Sequence, residues 1–76
     1  MISEHEVVVL TQDLLNHGLR AGDVGAVVHV HDSGAGYEVE FMTLTGKTVA
    51  VVTLLSSQLR AVASSDLAHV RELGAA

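Results

Sequence analysis

Val24-Gly25-Ala26-Val27-Val28-His29-Val30-His31, then Ser33-Gly34-Ala35-Gly36, then Tyr37-Glu38-Val39-Glu40-Phe41-Met42 is the stretch that decides the fold. Tyr37, Val39 and Phe41 alternate with Glu38 and Glu40, which is the period-two pattern of a half-buried strand. The β-branched run before it prefers a pleated surface. Glycines between the two runs predict a hairpin with Ser33–Gly36 as its four-residue loop. Gly25 is expected to mark a bulge or bend. If Val28 and Val30 share the core face with Tyr37, Val39 and Phe41, then Val30 lies opposite Val39. That register sets His31 opposite Glu38 and His29 opposite Glu40 on the outer face.

Outward from this hairpin the pattern repeats. Val7–Leu10 reads as a first strand, Thr48–Leu54 as a fourth and Leu59–Val62 as a short fifth. Asp13–Gly18 reads as a turn or single helical turn closed by glycine, Thr45-Gly46-Lys47 as a tight turn, and Ser56–Gln58 as one 3₁₀ turn. The expected fold class is mainly β: a small five-stranded, SH3-like antiparallel barrel over residues 1–63. Residues 64–76 are expected to form a C-terminal helical tail. Ser64 and Ser65 can cap a helix from Asp66, with Leu67, Val70 and Leu73 as its apolar stripe and Gly74 as its stop.

The chain is 76 residues and 7.9 kDa, which holds one domain. Hydrophobic residues make up 49% and mean hydropathy is +0.42, enough for a core. Tyr37 and Phe41 are the only aromatics, so that core is aliphatic with Phe41 at its centre. There is no cysteine, hence neither disulfide framework nor thiolate metal site. A net charge of −5 argues against a phosphate-backbone binder. Met1–Glu6 has neither a basic nor an apolar targeting region, and no apolar run reaches the roughly 20 residues of a membrane span. A cytoplasmic protein is expected.

An ordered set of residues resembles a family of small bacterial proteins catalogued only as a domain of unknown function. It includes His17-Gly18-Leu19, Gly22-Asp23, Gly25, Val27-Val28, Tyr37-Glu38-Val39-Glu40-Phe41, Val52-Thr53-Leu54 and Gln58-Leu59-Arg60. The resemblance implies an SH3-like barrel with Asp13–Gly22 as a long loop after the first strand, and it implies no activity. Leu15, Ser56 and Ala61 stand where such proteins usually carry prolines. Gly22–Val28 is also similar to the glycine-turn strand of RNA-binding ribosomal and transcription-factor barrels. Nucleic-acid contacts there need basic residues, and only Arg20 and Arg60 lie near that half.

His29 and His31, with Glu38 and Glu40, are the candidate metal ligands. The alternative is a set of exposed cross-strand contacts worth about 0.2–1 kcal/mol each. His17 beside Asp13 could form a base–carboxylate pair or merely stabilise a turn. His5 and His69 are expected to be solvated. Ser33, Ser56, Ser57, Ser64 and Ser65 all sit in turn or cap contexts, so no nucleophile stands out. Gly34-Ala35-Gly36 is no dinucleotide fingerprint and Lys47 no phosphate-loop lysine. No catalytic residue, cofactor or metal is assigned.

Apolar residues are in surplus. Val7–Leu10, Val27–Val28 and Val49–Val52 are apolar on both strand faces, and one barrel interior cannot hold them all. Large exposed apolar patches mark interfaces. The expectation is therefore a non-enzymatic interaction module, homo-oligomeric through the faces around Val27 and Val49–Val52, binding a protein partner in an accessory role such as that of an antitoxin or immunity partner. A nucleic-acid-binding barrel and a metal-binding protein using His29 and His31 are the alternatives.

Overall fold

A computed structural model describes residues 2–74; Met1 and the last two residues of the expected tail lie outside it. The chain forms β1 (Val7–Leu10), β2 (Val24–His31), β3 (Gly36–Met42), β4 (Thr48–Leu54) and β5 (Leu59–Ala61). They pair antiparallel in one sheet of order β4-β3-β2-β1-β5. The protein is mainly β, as the alternating pattern requires. The sheet does not close, because β4 and β5 are its two outer strands and do not pair with one another.

Short 3₁₀ turns occupy Leu15–His17 and Ser56–Gln58. Gly18 closes the first with φ of 69°, a left-handed conformation that suits glycine. In the second, Gln58 Oε1 accepts the Leu55 N–H at 2.8 Å. The loop between β1 and β2 is held by its own carboxylates: Asp13 accepts the Ala21 N–H at 2.9 Å and Asp23 the Arg20 N–H at 2.8 Å. Leu14 and Leu19 bridge across it, which turns Leu19 into the core.

The core consists of Val8, Leu10, Leu19, Val27, Tyr37, Val39, Phe41, Val52, Leu54 and Leu59. Phe41 is buried there, as expected. Gly25 lies in this layer directly opposite Phe41, with no bulge. A Cβ at Gly25 would sit 2.7 Å from Val39 Cγ1 and 2.9 Å from the Glu40 carbonyl oxygen. Close backbone approach is what this glycine serves.

The bulge comes later. Val27 lies opposite Val39 and His29 opposite Glu38, so Val28 is the extra residue. Parity flips on either side of it. Val27 is fully buried and Val28 is 42% exposed, the reverse of the expected facing. Beyond the bulge Val30 pairs with Tyr37, not Val39, and His31 with Gly36. The loop therefore begins one residue early. Asp32 and Ser33 leave the strand with φ of 46° and 58°, while Gly34 and Ala35 both donate to the His31 carbonyl.

The C-terminal helix does not form; residues 66–72 have no regular structure. Asp66, expected to favour a helix start, is taken by other partners. Its carboxylate accepts the Ala63 N–H at 2.7 Å and both Arg60 terminal nitrogens at 2.8 and 2.9 Å. So short a helix is marginal without packing, and the two-nitrogen arginine contact wins.

Candidate functional site

Val7 and Val9 point away from Val8 and Leu10, because side chains alternate along β1. Register extends this second face sideways. Arg60 and Val24 flank Val9, Ala26 lies opposite Val7, and Glu40 lies opposite Ala26. Val9 is buried yet stands outside the main core cluster, so something else covers it. The C-terminal segment, residues 66–73, lines the same groove as Val9 and crosses this face as a strap.

Two arginine–carboxylate clasps hold the strap. Arg71 Nε donates to Asp23 Oδ1 at 2.8 Å, and Nη2 donates to Asp23 Oδ2 at 2.6 Å and to the Gly18 carbonyl at 3.0 Å. Arg60 and Asp66 form the other clasp at the strap's start. The fork geometry of guanidinium suits a carboxylate in both cases. The Arg71 guanidinium holds the Asp23 carboxyl below the usual carboxylate range, and Asp23 raises Arg71 in return. Arg60, helped by the Ala63 N–H, lowers Asp66 to about 2.

Between strap and sheet runs an open groove. Its sheet wall includes Val7, Val24, Ala26 and Met42, and its strap wall includes Leu67 and Val70. Val7, Val24 and Met42 are about half exposed, and Leu67 is 93% exposed. The strap is tied by its charged residues while its apolar ones stay largely in water. It roofs the face without filling the space beneath.

On the outer side of the hairpin, His31 Nε2 lies 3.0 Å from Glu38 Oε2, so that expected contact forms. His29 does not meet Glu40. It lies opposite Glu38, because Glu40 is opposite Ala26, and its Nδ1 lies 3.6 Å from Glu4 Oε2. Glu40 instead accepts the Thr48 hydroxyl at 2.6 Å, and Glu38 accepts that of Thr53 at 2.9 Å. His31 and then Thr53 hold the Glu38 carboxyl below its ordinary value. The His29 and His31 rings meet edge-to-face with centroids 4.6 Å apart. Among the described residues, no group of three or more His, Cys, Asp or Glu is placed to hold a metal ion.

His17 is exposed, and Asp13 is turned to Ala21, so the base–carboxylate pair is not assembled. His5 and His69 are both exposed. Sequence reasoning missed the Asp23–Arg71 clasp, whose members lie 48 residues apart. The scarcity of cations was the available signal: with four Lys and Arg in all, each arginine has few competitors for a carboxylate.

No helix among the described residues is long and apolar enough to cross a membrane. Neither the curated proteins nor the solved structures include a match to this chain. Residues 4–61, which hold all five strands but not the strap, match the family described as Domain of unknown function (DUF4926), and the chain belongs to that family.

Proposed function

We propose that this protein is a non-enzymatic, homo-oligomeric interaction module of the cytoplasm that binds a protein partner, in an accessory role of the antitoxin or immunity kind. One observation carries the reading: Val7, Val24 and Met42 stand half exposed on one sheet face, beside Leu67 and Val70 of the strap. Apolar side chains gathered along a groove and rimmed by charge are the composition of an interaction surface. The non-enzymatic part is supported by the interior. No polar or charged residue is buried among the described residues, and the shifted carboxyls owe their shifts mainly to surface partners. Catalytic groups are more often desolvated. Sedimentation equilibrium tests the oligomeric reading. A mass that is a multiple of 7.9 kDa at micromolar concentration is expected, and a chain running at 7.9 kDa throughout overturns it.

A further inference from the structure

We propose that the outer edge of β4 is the seam of a two-fold homodimer, pairing antiparallel with β4 of a second copy into one continuous sheet. This rests on the homo-oligomeric reading above and assigns its seam to the β4 edge, leaving the strapped groove to the protein partner. β4 is an outer strand of seven residues, and among the described residues no backbone hydrogen bond from a loop or turn reaches Thr48–Leu54. A row of unpaired N–H and C=O groups takes another strand.

Natural edges are blunted by charge, proline, bulges or shortness. Thr48-Val49-Ala50-Val51-Val52-Thr53-Leu54 contains neither charge nor proline. Its one irregularity lies at the start, between the Phe41–Ala50 and Met42–Thr48 pairs, so Ala50–Leu54 form a regular ladder. The opposite edge is protected. β5 has three residues, and the Arg60 guanidinium donates to the Ala61 carbonyl at 3.1 Å.

The sequence of β4 also matches itself. A two-fold axis perpendicular to the sheet keeps each face on its own side, so residues facing across the seam must share parity. Centring the axis on Val51 satisfies this. Ala50 then faces Val52 of the second copy on the core side, and Val51 faces Val51 of the second copy on the outer side. Small meets large inside, and β-branched meets β-branched outside. Ala50 lies opposite Phe41 yet is only half buried, as an unfinished core edge would be.

The net charge of −5 does not oppose this contact. The carboxylates nearest the seam belong to β3, with Glu40 opposite Val51. From Glu40 to Glu40 of the second copy is three strand spacings, about 14 Å between backbones. Screening at physiological salt acts over roughly 8 Å. Repulsion across the seam is weak.

The test compares two matched substitutions in the full chain, since Val51 and Val24 are each 54% exposed. Sedimentation equilibrium should show a two-chain wild type. Val51→Lys should raise the dimer dissociation constant at least about tenfold, because lysine on an edge strand blocks pairing. Val24→Lys, on the strapped face, should dimerise as wild type does. If Val24→Lys is monomeric and Val51→Lys is not, the seam is wrong while the homo-oligomeric reading stands. A wild type at 7.9 kDa throughout overturns both. Should Val51→Lys misfold, single cysteines introduced into this cysteine-free chain still decide. Val51→Cys should be crosslinked by a short bismaleimide and Val7→Cys should not, whereas equal crosslinking overturns the seam.

Discussion

Arg71 grips Asp23 through two nitrogens, at 2.8 and 2.6 Å, and so pins the C-terminal strap to the turn that begins β2. Asp23 is already committed to that turn through the Arg20 N–H. One carboxylate therefore ties loop, strand start and strap together. Arg71→Ala should free the far end of the strap while leaving the sheet folded. An ion pair at the surface contributes about 1 kcal/mol or less to global stability. The expected result is a nearly unchanged melting temperature with faster proteolysis confined to residues 62–74. Unaltered proteolysis would show that the clasp does not hold the strap.

Acid should open both clasps before it unfolds the sheet. The folded-state values of Asp23 and Asp66 are depressed below 3.8, so each carboxylate stabilises its clasp above that value and loses the effect as pH falls. For Asp66 the loss runs from about pH 3.8 down to about 2. NMR should show Leu67–Val70 shifts moving towards random-coil values across that window, with β2 and β3 shifts still dispersed. Strap shifts unchanged to pH 2 would refute this linkage.

Gly25→Ala should destabilise the domain by about 1–3 kcal/mol, the usual cost of overpacking a filled core. The added methyl meets Val39 Cγ1 at 2.7 Å, on a fully buried β-branched side chain, and the Glu40 carbonyl at 2.9 Å, so neither neighbour gives way freely. Chemical denaturation with a shifted midpoint and unchanged slope would show it. A neutral result would mean that β2 and β3 separate there at little cost.

Phe41→Ala should cost about 3–5 kcal/mol by removing one of the two aromatic side chains from an otherwise aliphatic core. Phe41 is 3% exposed and packs in the cluster with Val39 and Val27. For a domain whose total stability is on the order of 5–15 kcal/mol, that is a large share. A melting temperature close to wild type would remove Phe41 from the core.

Strand identity was legible in the sequence because alternation and glycine turns act locally. Tyr37, Val39 and Phe41 face inward, and Glu38 and Glu40 outward, as their period alone requires. The 3₁₀ turn at Ser56–Gln58 and the glycine-closed turn at Leu15–His17 are similarly local. Register was not legible. Val27 and Val28 are chemically identical, and only packing against Val39 decides which one turns inward and where the bulge falls. That choice separates His29 from Glu40 and leaves it beside Glu4. The tail shows the same limit. Asp66, Leu67, Val70 and Leu73 carry a helical pattern, but a short helix gains little by itself. Arg60 and Arg71, placed by the fold beside Asp66 and Asp23, hold the segment as a strap instead. Local periodicity settles which residues form strands, whereas pairing across 48 residues depends on the tertiary structure that brings the partners together.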